Sequence, residues 1–218
     1  LADALAAEFG ASVALAGDAV SAHAGAFGGE PGTIVVVGTG TVLVTADADG
    51  SVRQVDGWGP WLGDEGSGRW IGQEGLRAVL AALDGRGPQT ALTAAAEQLH
   101  RPLSEMPWWV SATGSPARRL AAFTPAVLRA ATGGDEVATA IVERAADAVV
   151  AACLATTGPY CLVGGVVADS AMRGRIETGL AAAGAETVSP AGDALHGARF
   201  LAENVAAYPR SVIRRDRA

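Results

Sequence analysis

Cysteine is scarce in this chain: Cys153 and Cys161 stand eight positions apart and form no C-x-x-C pair. That excludes a cysteine-rich metal site and a disulfide-stapled scaffold, and it fits a reducing compartment. The histidines, His23, His100 and His196, lack partners at metal-ligand spacing, so no metal site is expected from them. Charge is sparse at 18%, and basic charge sparser still: 16 basic against 23 acidic residues give a net charge of −7 and a pI near 4.9. A nucleic-acid or anionic-membrane surface needs a basic stripe, and none is present. The short basic clusters, Arg118–Arg119 and Arg210 to Arg217, flank acidic stretches and read mostly as solvated faces. No apolar run reaches the roughly 18 residues that span a bilayer. The first residues carry Asp3 and Glu8 without a basic region, so they do not read as a signal peptide. A soluble cytoplasmic protein is expected. With 218 residues, half of them hydrophobic, the chain can bury a real core as one large domain or two small ones, which excludes disorder as its main state.

Apolar spacing predicts a helix over Leu1–Phe9, ended at Gly10, then a short buried strand over Ser12–Ala16 that delivers Asp18. Ala19–Phe27 reads as a helix closed by the Gly/Pro cluster at 28–32. Thr33–Val37 is almost wholly β-branched and should be a strand buried on both faces. Val42–Thr45 and Ser51–Val55 complete a meander. Helices follow at Ile71–Leu83, within a proline-broken helical insertion at about 86–131, at Asp135–Leu154, at Asp169–Ala183 and, as a closing helix, at 193–207. Strands are expected at Tyr160–Val163 and Glu186–Val188. The order implies an α/β layer architecture, a mixed sheet flanked by helices.

Three segments carry chemistry. Gly38-Thr39-Gly40-Thr41 sits where one buried strand turns into the next, and glycine with exposed N–H groups and hydroxyls can surround phosphate oxygens; a plain tight hairpin is the alternative. Gly57-Trp58-Gly59-Pro60-Trp61-Leu62-Gly63-Asp64-Glu65-Gly66-Ser67-Gly68 packs two indoles, two carboxylates and many glycines into one stretch. Carboxylates on tightly turned backbone can grip several hydroxyls, so a ligand-binding loop is expected. The alternative makes Trp58 and Trp61 core anchors and Asp64 a helix N-cap. Gly164-Gly165 follows a buried strand, where a side chain would block close approach, or simply forms a strand-to-helix turn. Asp18 and Asp169 can each be helix N-caps, and Trp108-Trp109 reads as packing of the helical insertion.

Together the Gly-Asp after an apolar strand, the Gly-Thr-Gly-Thr turn, the Gly-Trp-Gly-Pro-Trp-Leu-Gly-Asp-Glu-Gly-Ser-Gly loop, Gly164-Gly165 and Pro190 to Ala198 resemble the N-acetylglucosamine kinase family. Its relatives include glucosamine kinases and ATPases that activate acyl-CoA reductases and dehydratases, within the superfamily of actin and sugar kinases. The resemblance implies a ribonuclease H-like lobe that phosphorylates an amino sugar, N-acetylglucosamine or glucosamine, at the 6-hydroxyl using ATP and Mg²⁺. It implies Asp18 as general base, Thr39 and Gly40 at the ATP phosphates, and Thr41, Gly57, Trp58, Gly59 and Asp64 at the sugar. Gly164 and Gly165 would form the adenosine floor. A homodimer would go with the family. Alternatives are a reductase- or dehydratase-activating ATPase with a cysteine-held cluster, and a sugar-binding regulatory module.

The family pattern opens with a strand and an Asp-Gly-Gly-Thr turn, and that segment is not found before Asp18. Residues 1–30 are therefore expected to be the end of an N-terminal lobe and residues 31–218 a C-terminal lobe. Because such kinases close a cleft between lobes, the chain by itself is expected to bind sugar weakly and transfer phosphate poorly.

Overall fold

The computed structural model describes residues 1–204, 207–209 and 213–215. The chain runs α1 (Ala2–Phe9), β1 (Ala14–Ala16), α2 (Asp18–Phe27), then a meander of β2 (Gly32–Val37), β3 (Thr41–Ala46) and β4 (Val52–Asp56). Next come α3 (Gly68–Leu83), α4 (Leu92–Leu99), a 3₁₀ turn at Leu103–Glu105, α5 (Met106–Ser111), α6 (Pro116–Ala121), α7 (Thr124–Thr132) and α8 (Glu136–Leu154). The chain closes with β5 (Tyr160–Val163), α9 (Ser170–Ala182), α10 (Ala194–Glu203) and β6 (Ile213–Arg215). Among the described residues no helix is long and apolar enough to cross a membrane.

The main sheet has the order β4-β3-β2-β5. β2 pairs antiparallel with β3 and parallel with β5, so its β-branched run sits between two strands. Residues alternate between two cores because successive strand side chains point to opposite faces. Val35, Val37, Leu43 and Leu162 join one core with α3, α7, α8 and α9. Ile34, Val44 and Cys161 join the other with Ala19, Val20 and Ala24 of α2 and Leu201 of α10. Three of the large helices begin where an aspartate accepts backbone N–H groups: Asp135 caps α8, Asp169 caps α9 and Asp193 caps α10. On α8, buried residues recur at 138, 141, 142, 145, 146, 149 and 153, the helical period that the sequence shows.

Several expectations are corrected. β1 covers only Ala14–Ala16 and is half-exposed rather than buried, because its partner is the short β6 and not the main sheet. The basic tail is not wholly a solvated face: Ile213 is buried and its strand pairs with β1, while Arg210 and Arg217 lie outside the described residues. Nor is Arg119 solvated, since its guanidinium donates to the carbonyls of Val110, Ala112 and Thr113 and ties the α5–α6 connection. The strand expected at Glu186–Val188 is reduced to one parallel bridge between Thr187 and Tyr160. The closing helix stops at Glu203, with residues 205 and 206 outside the described set. Trp108 is 77% exposed, so of the indole pair only Trp109 packs, against the core and over His100.

α2 packs chiefly on α10, and the crossing is backbone to backbone. A Cβ on Gly25 would lie 1.9 Å from the Asp193 carbonyl oxygen, and one on Gly197 would lie 1.8 Å from that of Ser21. Two residues before Gly25 on α2, His23 is fully buried. Its Nε2 lies 3.0 Å from the Gly32 carbonyl oxygen, which can only accept, so Nε2 carries the proton and Nδ1 accepts from the Tyr208 hydroxyl at 2.5 Å. That bond ties the chain after α10 back to α2. Burial holds the His23 pKa below its ordinary value, opposed in part by the Gly32 hydrogen bond.

Two predictions follow from this crossing. Gly25→Ala should destabilise the fold by about 3 kcal/mol through overpacking, whereas Gly174→Ala on α9, with no atom within 4 Å, should be neutral or slightly stabilising; urea melts would separate them. Below about pH 6.5 the unfolded chain takes up a proton that folded His23 refuses, so stability should fall as pH drops from 7 to 5. His23→Gln should narrow that drop in Tm, and an unchanged drop would contradict the assignment.

Candidate functional site

The loop from Gly57 to Ser67 is a built structure. At its start Asp56, with φ +55°, turns its carboxylate back to accept from the N–H groups of Asp64 at 2.8 Å and Glu65 at 3.2 Å. The Gly63 N–H donates to the Gly59 carbonyl at 3.0 Å. At its far end Ser67 caps α3, and its hydroxyl accepts from the Trp70 N–H. Arg69, only 5% exposed, reaches back beneath the loop and donates to the Gly63 carbonyl at 2.8 Å and to the Gln73 side chain at 2.7 Å. Thus the loop is clamped by an acid at one end and a guanidinium at the other.

The clamp presents Asp64 to the Gly-Thr-Gly-Thr turn. A Cβ on Gly40 would meet Asp64 Oδ2 at 2.9 Å, so the carboxylate rests directly on the turn. Burial, and next the charge of Asp56, push the Asp64 pKa up; hydrogen bonds from the backbone of Gly59 and Thr41 and the charge of Arg69 act the other way. The Thr41 side chain is buried and its hydroxyl has no partner among the described residues. The same turn is fixed from the other side, where the N–H groups of Gly68 and Arg69 donate to the carbonyls of Gly38 and Thr39 at 2.8 and 3.1 Å.

Trp58, Trp61 and Leu62 are 75%, 79% and 86% exposed. Core anchoring of the two indoles is therefore excluded, and so is Asp64 as the cap of α3, a role that Ser67 fills. Large apolar side chains left in solvent on a clamped loop mark a contact surface.

Across the turn lies a cavity of about 630 Å³ lined by Gly38, Thr39 and Gly68, by Gly165, Val166 and Asp169, and by Ala121, Thr124, Pro125, Leu128 and Arg129. Gly164 has φ +111°, and a Cβ there would lie 2.4 Å from the Val37 carbonyl oxygen, which accepts from the Val166 N–H at 3.0 Å. Only glycine lets the β5 end run so close to β2. Gly165 faces open space. The size suits a nucleotide, and backbone N–H groups and hydroxyls suit its phosphates. A larger hollow of about 1000 Å³ between α3 and α8 holds none of the candidate residues, and Glu74 in it is already paired with Arg77 and Arg144.

The structure thus brings Thr39, Gly40, Thr41, Gly57, Trp58, Gly59 and Asp64 into one loop pair and places Thr39 and Gly165 in one cavity, with Gly164 behind it. Asp18 is exposed at the first position of α2, whose N-cap is Gly17, and its carboxylate accepts from the Ala19 N–H; it is not among the residues lining that cavity. Sequence reasoning did not single out Asp56, Arg69 or the cavity wall from α6 and α7. Among the described residues no three His, Cys, Asp or Glu side chains gather as a metal site.

The fold and these loops define a protein of the actin-like, sugar-kinase fold class, a mixed sheet flanked by helices with a nucleotide-sized cavity at the strand ends. Residues 2–202 match the model of the BadF/BadG/BcrA/BcrD ATPase family, and the chain belongs to that family. It is 34% identical over 120 residues to the N-acetyl-D-glucosamine kinase of Dictyostelium discoideum, covering 54% of this chain and 38% of that protein. A Chromobacterium violaceum structure provisionally named an N-acetylglucosamine kinase superposes with a TM-score of 0.75 at 34% identity, over 85% of this chain and 64% of that one. A Porphyromonas gingivalis structure with the same provisional name gives 0.70 at 20% identity, over 87% and 66%, and shows the shared fold. The chain spans less than two thirds of the length of the Dictyostelium and Chromobacterium proteins.

Removing the Asp56 acceptors tests the clamp. In Asp56→Ala the Asp64 and Glu65 amides should lose their hydrogen-exchange protection, with about 1–3 kcal/mol lost in stability. Protection equal to the parent chain would show that the loop is held by something else.

Proposed function

We propose that this chain belongs to an ATP-dependent kinase of an amino sugar, N-acetylglucosamine or glucosamine, that phosphorylates the 6-hydroxyl. The observation that carries the reading is the seat of Asp64 on Gly40, which joins a clamped Trp/acid loop to a turn lining a nucleotide-sized cavity. The related kinases and the ATPase family to which the chain belongs support it.

In this reading the sugar lies against Trp58, whose exposed indole offers an apolar face, with Gly57 and Gly59 allowing close approach and Asp64 accepting its hydroxyls. Thr41 supports the same side. Thr39 and Gly40 receive the ATP phosphates, and Gly164 and Gly165 form the adenosine floor. Asp18 takes the proton of the 6-hydroxyl and aims its oxygen at the γ-phosphate, while fixed N–H donors stabilise charge on the transferring group. Mg²⁺ would arrive with the nucleotide and be held chiefly by its phosphates, neutralising their charge. Residues 1–30 are assigned to a first lobe and 31–218 to the second, α2 being the element that packs across that division. A homodimer and a cytoplasmic setting complete the proposal. A cluster-bearing activator ATPase is a poorer match, since both cysteines are fully buried and burial pushes the Cys153 thiol up to about 12.

The test joins the chain to a complete first lobe, offers N-acetylglucosamine and glucosamine with Mg-ATP and identifies the product by phosphorus NMR. A 6-phosphate is expected, and Asp18→Asn should lower kcat by at least about a hundredfold with ATP affinity unchanged. No turnover of either sugar, or full activity in the variant, would overturn the assignment.

A further inference from the structure

We propose that Arg129 stacks its guanidinium on the purine base of the bound nucleotide and is the residue by which the helical segment 116–132 recognises it. The inference rests on the nucleotide reading of the cavity and assigns a role within it. Among the described residues lining that cavity, Arg129 is the one cation. Its guanidinium has no hydrogen-bond or ion-pair partner among the described residues, whereas Arg69, Arg119, Arg144 and Arg173 are each tied down.

The direction of α7 says which end of a nucleotide it meets. Thr124, at the first position of the helix, donates its hydroxyl to the Gly68 carbonyl at 2.5 Å, and Gly68 in turn donates to Gly38. The start of α7 is therefore anchored at the phosphate turn. Arg129 lies five residues on, about 7–8 Å along the axis, with Pro125 and Leu128 supplying an apolar wall between. The cavity consequently runs from a polar, glycine-lined end to an apolar wall capped by a free planar cation. A planar cation beside an apolar slot is suited to the face of an aromatic base, which it holds by stacking and cation–π attraction; a lysine ammonium lacks the plane. A phosphate-binding role would place the guanidinium at the other end, where the backbone N–H groups are.

Affinities for Mg-ATP and Mg-ADP, measured by calorimetry on the parent chain, Arg129→Ala and Arg129→Lys, test this. Both variants should weaken ATP and ADP by the same factor, about tenfold, with thermal melting unchanged because the side chain is exposed. A loss clearly larger for ATP than for ADP, or recovery by Arg129→Lys, would assign Arg129 to the phosphates and overturn base stacking. Unaltered affinity in both variants would remove Arg129 from the site while leaving the cavity's assignment intact. A parent chain that binds neither nucleotide would overturn both.

Discussion

A single half-buried carboxylate, Asp64 resting on the backbone at Gly40 and Thr41, is the constraint on which the site's geometry depends. Placing it there is unfavourable in itself: burial and the neighbouring Asp56 both disfavour its charge. The surrounding structure offsets that cost. Asp56 spends its carboxylate on the Asp64 and Glu65 amides, and Arg69 sits beneath with its own charge opposed by burial. Holding like charges close in a partly dry site gives up stability, a common signature of functional sites.

The same anchoring extends to the cavity. Gly68 is the junction: its N–H holds Gly38, its carbonyl takes the Thr124 hydroxyl, and the residue beside it is the buried Arg69. The Gly-Thr-Gly-Thr turn, the Trp/acid loop and the start of α7 are consequently fixed to one another within a few bonds. The segment between α3 and α8 is therefore a wall of the site rather than an accessory, and the sheet supplies the opposite wall by running β5 so close to β2 that Gly164 admits no side chain. On the other face, α2 and α10 cross at glycines, which sets the placement of the helix that begins with Asp18.

Much of this was legible in the residues. The β-branched run at 33–37, the helical period of 136–154 and the aspartates ahead of α8, α9 and α10 announce their structures because local sequence determines them. The loop at 57–68 stood out by composition, and its exposed indoles exclude the core anchoring that the residues also allowed. What escaped was long-range pairing. Asp56 falls just past the strand expected at Ser51–Val55 and Arg69 just ahead of the helix expected at Ile71–Leu83, yet each acts on a loop up to nine positions away. β6 hides among arginines because its partner, β1, lies about 200 residues earlier. Arg129 gives no local signal, since its interest comes only from the cavity that α7 closes.

The most direct measurement of the central claim is the N-acetylglucosamine-dependent rise in Tm of Gly40→Ala beside that of the parent chain. A methyl group at residue 40 must displace the Asp64 carboxylate from its seat without touching the core. The account predicts that the variant folds and that its stabilisation by the sugar is lost. A sugar response equal to the parent's would show that the seat of Asp64 on Gly40 does not organise the site.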